Sequence, residues 1–136
     1  MEMIYKPVCE SCDSSFDPLN LGYGITSSKY SGFNIPCLCR NCSNFVEVDL
    51  YTRNGSIKRK FTCPTCKTKV LQLGSINYTT EPNFDYNKYL WIDFFWDGSG
   101  CVVEQRTYVI ENKPYLCPKC EKTSLNFKLS EKKDEL

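Results

Sequence analysis

Cysteine pairs at a two-residue spacing recur four times along this chain, as Cys9/Cys12, Cys39/Cys42, Cys63/Cys66 and Cys117/Cys120. Two such pairs supply the four thiolates of one tetrahedral zinc site, so eight of the ten cysteines account for two structural zinc ions. Four protein ligands close each site and leave no coordination position for a substrate. Competing readings fit less well. A secreted disulfide framework has no need of one spacing repeated four times. A redox CxxC belongs in a βαβ context with one reactive pair, whereas these four flank strand-like segments. Cys37, in Cys37-Leu38-Cys39, and Cys101 read as buried small side chains, with an alternative ligand role left open for Cys37.

Met1 to Lys6 is followed by Pro7 and no apolar run, so no secretory signal is expected, and no window approaches a membrane span. The expected compartment is the reducing cytoplasm. The terminal Lys133-Asp134-Glu135-Leu136 has the form of an endoplasmic-reticulum retrieval signal, but without a route into the lumen it reads as coincidental. Residues 131–136 are expected to be a flexible charged tail, and residues 1–130 one compact domain.

The chain has no alanine and is rich in Tyr, Phe, Val, Ile and Thr, which disfavours long helices and favours strands. The expected fold is small and mostly β: zinc-ribbon-like hairpins stapled by two four-cysteine zinc sites, with little helix. In the clearest hairpin, Phe45 to Arg53 and Ser56 to Thr62 flank Asn54-Gly55, residues that tolerate positive φ. A two-residue turn there sets Tyr51 opposite Lys58 and Asp49 opposite Lys60, with Val46, Val48, Leu50, Ile57 and Phe61 on one face. This hairpin joins Cys39/Cys42 to Cys63/Cys66 and is followed by Val70-Leu71-Gln72-Leu73.

That order over residues 37–73 resembles a zinc ribbon of the transcription-factor type: knuckle, hairpin, knuckle, further strand. The resemblance implies a zinc ion held by the knuckles it covers, Cys39/Cys42 and Cys63/Cys66. Members of the class often place Gly after the second knuckle cysteine, where this chain has Asp13, Ser43, Lys67 and Glu121. Ribbons that rescue stalled polymerases carry acidic residues at the hairpin tip. The tip here is Arg53-Asn54-Gly55, so that activity is not carried over.

Two pairings of the knuckles lead, with a crossed one as the remaining alternative. A nested one joins Cys39, Cys42, Cys63 and Cys66 into an inner site and Cys9, Cys12, Cys117 and Cys120 into an outer site that brings the chain ends together. A sequential one joins the first two pairs and the last two. The 20-residue inner gap, against 26 and 50 in the sequential case, favours nesting.

Tyr89 to Trp96 and Cys101 to Glu111, around Asp97-Gly98-Ser99-Gly100, predict a second hairpin. Its first arm is expected to turn Leu90, Ile92, Phe94 and Trp96 to the core. The opposite side, Tyr89, Trp91, Asp93 and Phe95, is too aromatic for an ordinary solvent face, so it is either covered by the chain or a protein-binding surface.

Net charge is +1, but residues 50–80 hold Arg53, Lys58, Arg59, Lys60, Lys67 and Lys69 without one acid. Those six are the candidate nucleic-acid contacts, although cations also compensate the −2 charge of a four-thiolate zinc site. Residues 81–111 are acidic and aromatic, a composition that suits a protein interface and repels phosphate. No phosphate loop, dinucleotide fingerprint or nucleophile elbow is present, and without histidine no catalytic residue is assigned. The favoured reading is a non-catalytic, zinc-stabilised module that binds a protein as an adaptor, inhibitor or immunity-type protein. A nucleic-acid-binding ribbon acting through residues 53–69 is the alternative, and no membrane partner is expected.

Overall fold

The computed structural model describes residues 2–23, 32–52, 55–77, 88–97 and 104–133. Among them are ten strands and no helix, hence no helix able to cross a membrane. The strands are β1 (Glu2–Cys9), β2 (Leu19–Tyr23), β3 (Phe33–Cys39), β4 (Asn44–Asp49), β5 (Leu71–Gln72), β6 (Ser75–Asn77), β7 (Tyr89–Asp97), β8 (Glu104–Glu111), β9 (Tyr115–Leu116) and β10 (Thr123–Lys133). The large sheet runs β4-β3-β2-β1-β10-β9, with β5 also on β3, and a small sheet runs β6-β8-β7. The mostly-β expectation holds.

The ribbon segment departs from the expected hairpin. β4 pairs with β3, from Asn34↔Asp49 to Cys39↔Asn44, and not with the chain after Gly55. The two arms meet only at a bridge, Tyr51↔Ile57, one residue out of the expected register. Thr52 N–H donates to Ser56 O at 2.7 Å and Gly55 N–H to Thr52 O at 3.0 Å, so the turn is longer than two residues. Asp49 does not face Lys60. Its carboxylate accepts the Phe33 N–H of the neighbouring strand at 3.3 Å and the Tyr51 N–H at 3.0 Å, and backbone amides are fixed where a lysine would be mobile. Leu50, Val48 and Phe61 are buried as expected, while Arg53 and Asn54 lie outside the described residues.

The second hairpin forms, pairing Trp91↔Ile110 through Asp97↔Glu104, but with its faces exchanged. Trp91 and Phe95 are 4% and 0% exposed, whereas Phe94 and Trp96 are 43% and 54% exposed. The reason is a large aromatic acceptor on the big sheet. Phe33 stacks on Trp91 with ring centroids 5.8 Å apart and meets Phe95 at 5.4 Å and Tyr108 at 6.2 Å. Three rings against one give more buried apolar surface than the alternative side, which includes Leu90 and Ile92. A register irregularity between Tyr89 and Trp91 accompanies the exchange.

Polar groups fix the docking of the two sheets. Tyr5 Oη donates to Leu90 O at 3.2 Å, and Tyr108, wholly buried, donates to Leu73 O and accepts from Gln72 Nε2 at 3.1 Å. Gly74, at φ +80°, lies so close to Val109 O and the Tyr108 ring that a side chain there would collide. At the chain ends, β10 pairs with β1 as far as Glu2↔Lys133, so the strand takes in three residues of the segment expected to be a tail. Residues 134–136, which complete the retrieval-like tetrapeptide, and Cys101 lie outside the described residues.

Candidate metal centres

Each CxxC pair caps an antiparallel hairpin with one shared backbone pattern. The first cysteine of a pair faces the residue five positions on. Cys9 N–H donates to Ser14 O at 2.9 Å, Cys63 N–H to Thr68 O at 2.8 Å and Cys117 N–H to Lys122 O at 2.9 Å, and Cys39 pairs with Asn44 across the sheet. To reverse direction within those few residues, the backbone turns left-handed just after the second cysteine. Asp13, Ser43, Lys67 and Glu121 have φ of 55°, 50°, 65° and 61°, and they are the positive-φ non-glycine residues of the described chain. The knuckle fold is thus kept without the glycine usual in ribbons.

The pairing is nested. Cys9, Cys12, Cys117 and Cys120 form one group and Cys39, Cys42, Cys63 and Cys66 the other, all sulfurs of a group lying within 4.8 Å of one another. Cys9 and Cys120 Sγ are 3.6 Å apart, Cys12 and Cys117 3.9 Å, Cys39 and Cys66 3.5 Å, and Cys42 and Cys63 3.9 Å. A disulfide needs sulfurs about 2.05 Å apart. A tetrahedron with metal–sulfur bonds of about 2.3 Å has edges of about 3.8 Å, the separation found here. Each group can therefore hold one metal ion, and both are compatible with zinc-ribbon-like motifs. Cys37 belongs to neither group, and burial pushes its thiol up to about 12.

Hydroxyl groups that the sequence reading did not single out touch the sulfurs. Ser14 Oγ is 3.1 Å from Cys12 Sγ, Ser124 Oγ 3.1 Å from Cys9 Sγ, and Thr68 Oγ1 3.0 Å from Cys66 Sγ. Ser14 and Thr68 occupy the same place, two residues after the second cysteine of a pair, and that spacing is the signal by which they were findable. Ser124 pulls the Cys9 thiol down to about 6, and Thr68 pulls Cys66 down to about 5. Ser14 lowers Cys12, and the Cys66 amide, more than the Thr65 one, lowers Cys63. In the opposite direction, the neighbouring Cys66 and Cys39 sulfurs push Cys42 up to about 12, and burial pushes Cys117 up to about 11. Each group thus contains sulfurs that ionise readily and one that resists adding a further negative charge. A bound dication would favour the thiolate form of all four.

An aromatic row spans the hairpins of both groups. Phe16 meets Phe45 edge-on at 5.2 Å, Phe45 meets Phe127 at 5.5 Å, and Phe127 meets Tyr115 at 5.5 Å. Phe16 and Tyr115 flank outer cysteines, and Phe45 follows the inner Cys42. A cleft of about 270 Å³ opens beside the row, lined by Ser15, Phe16, Asp17, Cys42, Ser43, Asn44 and Lys119. Residues of both centres therefore meet at one polar recess.

The candidate partner residues fare differently. Trp91 and Phe95 are core, and Tyr89 and Asp93 are half-buried, so these four do not make a common outer surface. Among the basic candidates, Arg59, Lys60, Lys67 and Lys69 are exposed and Lys58 is half-buried, while Arg53 lies outside the described residues. Lys67 Nζ donates to Pro64 O of its own knuckle at 2.9 Å. The Thr62↔Lys69 bridge sets Lys69 on the outer side of the third knuckle hairpin, where Lys60 and Leu71, two residues along each arm, are also exposed. Comparison of the chain with models of known protein families, with curated proteins and with solved structures gives no match.

Proposed function

We propose that this chain is a non-catalytic, cytoplasmic binding module held in shape by two structural zinc ions, and that it engages a protein partner through the outward face of β7. Zinc is the ion that a closed set of four thiolates suits best, and a closed set leaves no position for substrate. The observation that carries the partner surface is the pair Phe94 and Trp96, 43% and 54% exposed and two residues apart on one strand face. Large aromatic rings in that position are typical anchors of protein interfaces. Part of the strand's outer edge, by contrast, is already occupied. Tyr51 Oη donates to Trp96 O at 2.8 Å and accepts from Trp96 N–H at 3.1 Å. Asp93 Oδ1 takes the Phe94 N–H at 2.8 Å, and Tyr5 takes Leu90 O. A partner is thereby directed to the side chains and away from the backbone. An adaptor, inhibitor or immunity-type role suits such a surface.

A second reading rests on the exposed cations Arg40, Arg59, Lys60, Lys67 and Lys69 on the inner-centre hairpins and the segment leading into them. They suit the phosphates of a nucleic acid. One experiment separates the two. Affinity capture is run with and without nuclease, using Phe94→Ala/Trp96→Ala and Arg59→Glu/Lys60→Glu variants that keep about two zinc ions per chain. The expected result is a nuclease-resistant protein partner lost in the aromatic variant. A nuclease-sensitive complex lost only in the Arg59/Lys60 variant overturns the protein reading, and folded protein without zinc overturns the metal assignment.

A further inference from the structure

We infer that Cys42 is the modification site of this protein: the thiolate of the inner centre that reacts first with a small electrophile of the peroxide class, closing a disulfide with Cys63 and releasing the inner metal ion. The inference rests on the metal reading above and adds to it a direction of chemistry.

A hydrogen bond to a thiolate stabilises its charge and lowers its nucleophilicity, so among equivalent metal-bound sulfurs the one without such a donor is the most reactive. The two exposed cysteines of the centres are Cys12 and Cys42. Cys12 has the Ser14 hydroxyl at 3.1 Å. The corresponding residue for Cys42 is Asn44, whose side chain is turned away, its Oδ1 accepting the Phe45 N–H at 2.8 Å. The neighbours of Cys42 Sγ are the sulfurs of its own group: Cys63 lies 3.9 Å away, and Cys66 and Cys39 lie within 4.8 Å. The remaining second cysteines are better protected. Cys66 has the Thr68 hydroxyl at 3.0 Å, and both Cys66 and Cys120 are less exposed than Cys42. Access is also provided, because Cys42 borders the polar recess of about 270 Å³ that Lys119 and Asn44 help to line. That volume admits hydrogen peroxide with room for water.

The chemistry balances within the site. The Cys42 thiolate attacks one peroxide oxygen, the O–O bond breaks, and hydroxide leaves, giving a sulfenic acid on Cys42. The Cys63 thiolate then attacks that sulfur and expels a second hydroxide, forming the S–S bond. The two sulfurs lose two electrons, the peroxide gains them, and two solvent protons convert both hydroxides to water. With two of its four ligands gone, the inner set no longer holds the ion.

The test uses the intact metal-loaded chain, with metal content measured before any oxidant is added. Limiting hydrogen peroxide is supplied, zinc release is followed with a chromogenic chelator, and the modified cysteines are mapped by peptide mass spectrometry. The expected result is release of one ion per chain and a Cys42–Cys63 disulfide ahead of any other modification. A second variant keeps the idea falsifiable without touching a ligand. Asn44→Ser places a hydroxyl where Ser14 and Thr68 have theirs and should slow release on the order of tenfold at unchanged metal content. First modification at Cys12 or Cys120, or an Asn44→Ser rate equal to wild type, overturns this assignment and leaves the zinc reading standing. Protein that carries no metal overturns both.

Discussion

Replacing Glu121 by glycine should stabilise this protein, against the usual effect of glycine in a β-rich chain. Glu121 sits at φ 61° immediately after the last knuckle cysteine, with its N–H donating to Cys117 O at 2.8 Å, and its side chain is exposed. A non-glycine residue held in the left-handed region costs about 1–2 kcal/mol. Glycine removes that cost and gives back roughly 0.5–1 kcal/mol through the greater entropy it loses on folding. The balance is a gain of about 0.5–1 kcal/mol, or roughly 2–4 °C in melting temperature for a chain of this size. Removal of a carboxylate beside a negatively charged four-thiolate site acts in the same direction. Glu121→Val, a β-branched side chain in the same place, should lose stability. Thermal melts at matched, saturating zinc measure both variants. A Glu121→Gly protein that melts several degrees below wild type would refute the reasoning, because it would mean that the knuckle does not depend on a left-handed residue.

Three further outcomes follow from the same geometry. Trp91→Ala should cost about 3–5 kcal/mol and Trp96→Ala under about 1 kcal/mol in urea denaturation, because the first ring is core and the second is solvent-facing; equal losses would return the strand to the opposite facing. Burial holds the Asp93 carboxyl above its usual value, so its stabilising contribution is full below the unfolded-state value and is lost as pH rises through the folded one. Asp93→Asn, which keeps an acceptor for the Phe94 amide, should therefore be the more stable protein at neutral pH, with the advantage shrinking in acid; a variant less stable than wild type at pH 7 contradicts this. Cys63→Ser should bind one zinc ion in place of two and lose hydrogen-exchange protection in β3 and β4, while the β1–β10 pairing persists; wild-type protection in β3 and β4 would show that the inner hairpins stand without their metal.

Much of the molecule was legible in the cysteine spacing, because a CxxC hairpin is a local object whose geometry is set within six residues. The strand content was legible for a similar reason, as a sum of local preferences. Which face of β7 meets the core was not. Both of its faces are apolar, so alternation carries no direction, and the choice is made by Phe33, more than fifty residues away in the chain. The partner of β4 was missed for a related cause. Asn54-Gly55 is a strong local turn signal, but the residues entering it, Asn44 to Asp49, find a longer and better-buried partner in β3, and the tertiary pairing overrides the local one. The thiol-bound hydroxyls stood at a readable offset from the cysteines, yet serine and threonine are so common in turns that only the short Oγ–Sγ distances single them out.

The nesting of the two centres has an energetic consequence that explains the unequal support around them. The inner group spans sequence separations of 21 and 27 residues and the outer one 105 and 111. Loop-closure entropy rises with the logarithm of length, so assembling the outer group from an open chain costs about 1.3 kcal/mol more than assembling the inner one. The outer group is accordingly the one with extra structure behind it: eight residue pairs between β1 and β10 hold its two halves together, and Phe16, Phe127 and Tyr115 join the flanks of its knuckles through the aromatic row. The inner group, cheap to close, relies on Phe45 and the short β3–β5 pairing. It also has the exposed cysteine, Cys42, whose sulfur lacks a hydroxyl. Loss of the inner ion therefore leaves the chain ends joined through β1 and β10, so a chemical event at Cys42 would remodel the inner-centre end of the molecule while the outer centre persists.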